Sequence, residues 1–334
     1  MRLLADVDTG IDDALALCWL AAREDVDLVG VSTTSGNTTA RQAAENSLAV
    51  LEICGVDGVE VCVGRPAPLV VPASTTPETH GDHGLGNATL PPTRGSLSSR
   101  GFLDLWLDEL RAHPGETTLL VTGPLTNLAA ALRAEPGLPE LLARVVIMGG
   151  SFDHPGNTTP TAEWNSWVDP HAAAEAYAAW EGKPADRLPI VCSLGVTERI
   201  VITPERLADL IAGAGPDPQR PQVLALLADA LEFYFDFHAE YGYGWLAQVH
   251  DLFAAMVALD AVPWPAMTTW VGVETTSELT RGTTVRDARN LWRRTPNARV
   301  VADTDPDRVW ELFRDDLTRL VTRPAPPGNS ARGA

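Results

Sequence analysis

The sequence predicts an α/β protein, one large domain built on a mostly parallel central sheet with helices on both faces. Short apolar runs rich in β-branched residues alternate with longer stretches of helical periodicity, which is the pattern of βαβ units. The 334 residues suffice for a single extensive core, and neither an internal repeat nor a clean linker divides them. The domain is expected over 1–322, with the Pro/Gly/Ser-rich stretch 323–334 as a disordered tail.

Arg2–Asp8 is a short apolar run read as the first strand, followed by a helical pattern from Asp12 to Arg23. Val26–Thr34 is β-rich, Thr38–Cys54 carries the Ala and Leu content of a helix, and Val59–Gly64 reads as a third strand. Residues 65–100 are rich in Pro, Gly, Ser and Thr and too long for an idle connector. A helix over Gly101–Ala112 leads into the strand Thr117–Thr122, a helix from Thr126 and the strand Arg144–Met148. Beyond residue 200 helical stretches gather at Thr203–Ala212, Pro221–Tyr241 and Asp251–Asp260. Trp270–Thr276 and Arg299–Ala302 read as late strands and Pro306–Leu320 as a last helix.

Composition narrows the chemistry. With 45% hydrophobic and 21% charged residues the chain is neither disordered nor collagen-like. Its 25 Lys and Arg against 44 Asp and Glu give a formal charge of −19. That field repels phosphate backbones and acidic lipids, and no basic stripe offsets it, so neither nucleic acid nor membrane is expected as a partner. Lys183 is the only lysine, which removes most lysine-based chemistry. Cys18, Cys54, Cys62 and Cys192 sit in apolar runs without a CxxC or Cys/His cluster, and read as small core residues of a reducing compartment. An acid at Asp6 comes too early for a signal-peptide core, and no apolar run approaches the roughly 20 residues of a membrane span. The expected location is cytoplasmic.

The densest chemical signal is Asp6-Val7-Asp8-Thr9-Gly10-Ile11-Asp12-Asp13, four carboxylates at the junction of a buried strand and a helix. Acids in a first helical turn favour the macrodipole, which accounts for Asp12 and Asp13. Asp6 and Asp8 have no such account. Strand alternation puts them on one side, where they repel unless a proton or a hard, oxygen-liganded cation separates them. The alternative is a purely structural acid cluster. Ser35-Gly36-Asn37, Thr122-Gly123-Pro124 and Met148-Gly149-Gly150 follow other strands, and open α/β sheets bind ligands outside those carboxyl ends. Asn157, Glu163, Trp164 and Asn165 form a polar and aromatic loop suited to gripping hydroxyl groups. His250 stands beside Asp251 before a helix, where a capping pair is the plain alternative to a functional one.

With these residues in hand the chain resembles the nucleoside hydrolase family, which splits N-ribosides of purines and pyrimidines. DVDTGIDDALAL is similar to that family's DxDPGxDDA opening. SGN at 35–37, HGDHGLGN at 80–87, TGPLTN at 122–127, MGG at 148–150, AEWN at 162–165, VDP at 168–170 and VHD at 249–251 follow in order. The resemblance runs from about Leu3 to Leu320 and implies the family's Rossmann-like fold and a homo-oligomer, dimer or tetramer. It further implies a calcium ion held by Asp8, Asp13, the main-chain carbonyl of Thr122 and Asp251, with Asp8 also the general base toward a calcium-bound water. Asp12 and Asn37 match residues on the ribose 2′ side and Asp251 the 3′-hydroxyl. Asn157, Glu163 and Asn165 match the 5′ side, with Met148 beneath the sugar. His250 matches the leaving-group acid, His80 lies near the base, and Asp6 supports the site from behind. Residues 65–100 and Phe233–Gln248 are expected to line the base pocket.

The chemistry is coherent on physical grounds. Carboxylates stabilise an oxocarbenium-like ribosyl cation, calcium chelates vicinal hydroxyls and water, and a histidine can protonate the departing base. Thr9 stands where the family has proline and Trp164 where it has phenylalanine. His250 resembles the inosine–uridine or pyrimidine-preferring branches rather than the purine-specific one. DVDTG also resembles the DxDxT motif of haloacid-dehalogenase-type phosphatases, with Asp6 as nucleophile. That reading lacks a suitable lysine and leaves Asp12, Asp13, AEWN and VHD unexplained. A non-catalytic nucleoside- or calcium-binding protein is the other rival, disfavoured because a sensor needs no leaving-group acid.

Overall fold

A computed structural model describes residues 1–324; the tail expected at 323–334 falls almost wholly outside the described residues. The strands are β1 (Arg2–Val7), β2 (Asp27–Thr33), β3 (Glu60–Val63), β4 (Thr117–Val121), β5 (Arg144–Met148), β6 (Ile190–Cys192), β7 (Val201–Ile202), β8 (Ala247–Gln248), β9 (Ala266–Thr269), β10 (Val271–Val273), β11 (Thr284–Arg286) and β12 (Ala298–Val301). Eight of them form the central sheet in the order β3-β2-β1-β4-β5-β6-β12-β9. All neighbours pair in parallel except β9, which closes the edge antiparallel to β12.

Strand alternation divides the core between the two sheet faces. Leu3, Ala5 and Val7 join Trp19, Phe253 and Phe313 on one side, while Leu4, Leu119 and Val121 join Trp106, Tyr177 and Trp180 on the other. The chain leaves β1 toward β2 and β3, then returns to place β4 on the other side of β1. That reversal opens a crevice at the carboxyl ends of β1 and β4. The helices Ile11–Ala21 and His250–Ala258 pack together there. Both are buried nearly all round, which is why neither shows a one-sided apolar stripe.

Several elements escape the sequence pattern. The helix Pro170–Ala179 is so alanine-rich that it shows no polar–apolar contrast. β6 is a three-residue strand between loops. The single strand expected at Trp270–Thr276 is split: β9 joins the main sheet just before it, and β10 pairs with β11 in a separate ribbon. No helix among the described residues is long and apolar enough to cross a membrane. All four cysteines are buried and free, as their apolar settings predict.

Candidate active site

The crevice holds a cavity of about 240 Å³. Asp12, Asn37, His80, Thr122 and Met148 line it, together with Asn157, Glu163, Asn165, His250 and Asp251. Asp8 and Asp13 lie behind that surface, fully buried. The strand ends at Val7, one residue short of Asp8, and the two acids have separate partners. Asp6 Oδ1 accepts from Ser32 Oγ (2.6 Å) and Asn127 Nδ2 (2.7 Å), and Trp106 Nε1 donates to that serine at 3.0 Å.

Two helix N-termini and two loops position the acids. Asp13 accepts from Gly10 N at 2.9 Å, from Thr122 Oγ1 at 2.6 Å and from Asn37 Nδ2 at 3.2 Å. Asp12 Oδ2 accepts from the backbone N–H of His250 at 3.2 Å, which ties the start of one helix to the other. Asp8 Oδ2 accepts from Asn37 N at 2.7 Å, while its Oδ1 is buried with no hydrogen-bond partner. A Cβ on Gly36 would collide with that Asp8 carboxylate and with Pro124, so the loop can approach only with glycine there. Gly36→Ala is therefore expected to displace the Asp8 carboxylate, and to lower by at least about a hundredfold any turnover that depends on its position. Steady-state rates on a folded variant, verified by circular dichroism, check this.

Thr9 fills the turn between these acids. Its hydroxyl lies 2.6 Å from Ser47 Oγ, and Ser47 donates to Ala43 O, so Thr9 is the donor of the pair. Asn46 Nδ2 donates to Thr9 O at 3.1 Å. The turn is thus pinned to the helix Ala40–Ile53 by hydrogen bonds rather than by a proline ring.

The residue chemistry fits a hard divalent cation. Asp12, Asp13 and Asp251 each place an oxygen within 4.8 Å of the others. Asp8 is outside that tightest group; its Oδ1, like Asp6 Oδ2, is buried without a hydrogen-bond partner among the described residues and is open to a cation or a proton. Among the described residues, no lysine or arginine lines the cavity. Burial, then repulsion from neighbouring acids, pushes Asp8 and Asp251 well above the usual carboxylate range and Asp12 to about 7. Burial raises Asp13 as well. The carbonyl of Thr122 accepts from Asn165 Nδ2 at 2.6 Å and keeps its second lone pair free.

Burial, followed by neighbouring histidines, lowers both His80 and His250 to about 3. His80 Nδ1 accepts from Ile11 N at 3.1 Å, which leaves its proton on Nε2. His250 Nδ1 lies 2.8 Å from Thr197 Oγ1, so Nε2 is the nitrogen left for the cavity. At the other end, Glu163 accepts from Asn165 N (2.7 Å), Gly150 N (2.8 Å) and Ser166 N (3.0 Å), a helix cap as much as a ligand group. Asn157 is exposed at the rim, where its Oδ1 accepts from Trp164 N at 3.0 Å. Trp164 stacks on Trp167 with centroids 5.7 Å apart.

The sequence reading missed Thr197, which sits after the unrecognised β6, and named none of Tyr234, Phe237, His238 and Tyr241 individually. Those four line the cavity from the helix Pro221–Glu240 and its C-cap. Their i, i+3, i+4, i+7 spacing marks a single helix face and was available in the sequence.

A family model described as "Inosine-uridine preferring nucleoside hydrolase" matches residues 3–311. A pyrimidine-specific ribonucleoside hydrolase from Citrobacter koseri is 31% identical over 318 residues, 95% of this chain and 98% of that protein. An inosine-uridine preferring nucleoside hydrolase from Leishmania major is 30% identical over 326 residues, 96% and 98% of the two chains. Among solved structures, a plant nucleoside hydrolase superposes with a TM-score of 0.85 at 27% identity, covering 95% of this chain and 98% of that one. A purine-preferring ribonucleoside hydrolase from Gardnerella vaginalis gives 0.86 at 25% identity, covering 96% and 99%.

Proposed function

The chain belongs to the inosine-uridine preferring nucleoside hydrolase family, hydrolases acting on N-glycosyl compounds, and from that premise we propose that it is a calcium-dependent enzyme cleaving ribonucleosides to ribose and free base. The observation that carries this reading is the convergence of Asp12, Asp13 and Asp251 beside the unpartnered oxygen of Asp8, on a cavity of nucleoside dimensions. Asp8, Asp13, the Thr122 carbonyl and Asp251 would hold the ion, with Asp12 close enough to share it. Bound there, calcium would supply charge neutralisation and a template for the vicinal hydroxyls and the attacking water.

The chain's own residues do the rest. Asp8 takes the proton of the attacking water. Asp12 and Asn37 hold the ribose 2′ side and Asp251 the 3′-hydroxyl, while Asn157, Glu163 and Asn165 hold the 5′ side above Met148. The carboxylates stabilise the oxocarbenium-like transition state. His250 takes up a proton from solvent and passes it from Nε2 to the departing base, returning to the neutral ring, with Thr197 fixing the ring and His80 beside it.

His250→Ala is expected to lose about a hundred- to ten-thousand-fold on inosine or uridine and far less on an activated nitrophenyl riboside. Equal losses in kcat/KM on both would remove the acid role. The reading as a whole is tested by reducing-sugar release from inosine, uridine, cytidine, adenosine and guanosine, with and without exhaustive chelation. Release that stops on chelation and returns with calcium is the expected result, with inosine, uridine or cytidine leading the order. No release while calcium still binds would overturn it in favour of a binding protein. The reading includes a cytoplasmic homo-oligomer, for which sizing in solution is the check.

A further inference from the structure

We propose that the cavity selects ribosides whose base carries a fixed positive charge, of the pyridinium type, over uncharged ribosides of the same shape. The inference rests on the ribonucleoside-cleaving reading and names a substrate class within it. Three features of the cavity converge on it.

The first is the wall at the base end. Tyr234, Phe237 and Tyr241 follow one another along a helix face, with ring centroids 6.1 Å apart at an interplanar angle of 29° for the first pair and 4.6 Å apart for the second. Flat cations bind such faces through the ring quadrupole. The second feature is charge. Glu78, exposed, lines the same cavity, and among the described residues no lysine or arginine does. The third is that the hydrogen bonds keep two of its histidines uncharged. His80 Nδ1 is occupied as an acceptor from Ile11 N. His238 Nδ1 donates to Tyr234 O at 2.7 Å, and its Nε2 accepts from Gln248 N at 3.4 Å.

The chemistry follows the same sign. When C1′–N breaks in a pyridinium riboside, the bonding pair returns to the ring nitrogen and cancels its charge. The base departs neutral and needs no proton. Water adds to C1′, its proton passing to Asp8 and then to solvent. An uncharged base instead develops negative charge against Glu78 and the aspartates until it is protonated.

The test uses the full-length protein with its metal, and two ribosides of nearly identical shape: that of 3-carbamoylpyridinium and its uncharged 1,4-dihydro form. Both compete against uridine as the reference substrate, so that affinity is read apart from the greater lability of the pyridinium bond. The cation is expected to compete about tenfold more tightly, a preference that shrinks as salt is raised. In Glu78→Gln the cation-to-neutral preference falls several-fold. Equal inhibition by the two forms, or a preference indifferent to both salt and Glu78, overturns the inference while leaving uridine cleavage standing. Failure to release ribose from either uridine or the pyridinium riboside overturns the underlying reading as well.

Discussion

Asp8→Asn lowers kcat by about a hundred- to ten-thousand-fold and leaves the protein folded. The variant is close to isosteric, and the geometry says which half of the side chain matters. Asp8 Oδ2 accepts from Asn37 N at 2.7 Å, a bond the amide oxygen of asparagine can keep. Oδ1 has no hydrogen-bond partner, so no contact with the protein is lost there. What disappears is the carboxylate that the proposed base role requires, one that burial, then Asp13, pushes well above the usual carboxylate range. The substitution also removes one charge from a crowded cluster. In chelator, the melting temperature of the variant is therefore expected to equal or exceed that of the unsubstituted protein. Ribose release and thermal unfolding in chelator measure the two effects separately. Near-normal turnover takes the base role from Asp8, and a melting temperature well below that of the parent makes Asp8 structural.

The same contrast between local and distant contacts explains what could be read in the sequence. The strands β1 to β5 were legible because each is an apolar run followed by its own helix and pairs with a neighbour in the same βαβ series. The far half of the sheet depends on pairing across long separations. β12, read as a strand at Arg299–Ala302, lies beside β6 although more than a hundred residues separate them, and the three residues of β6 carry little signal alone. The acids of the DVDTGIDD segment were legible because strand end, turn and helix start are contiguous. Asp251 was legible only through its motif, since nothing local says that its helix meets the one beginning at Ile11. Thr9 shows the limit in detail: its bond to Ser47 spans 38 residues and could not be inferred from the turn it occupies.

The acid cluster also has consequences for stability, and metal removal is the place to measure them. Without a cation, Asp12 is raised to about 7 and Asp8, Asp13 and Asp251 are raised too, all chiefly by burial. A carboxyl whose folded pKa exceeds its unfolded value keeps its proton longer in the native state. Its stabilising effect is full at low pH and is lost as pH rises through the folded value. The metal-free protein is thus expected to become less stable from about pH 4 toward pH 7 and above as these groups are forced to ionise together. A bound divalent cation reverses the sign of that cost, because it needs the ionised carboxylates. At pH 7.5 chelation is expected to lower the melting temperature by about 5 °C, the size of effect given by a ligand near a hundred times its Kd. At pH 5, below the value of about 7 for Asp12, chelation is expected to change less. Thermal melts at both pH values, with and without chelator and with calcium restored, decide the matter. An equal drop at both pH values would place the cation somewhere other than among these four aspartates.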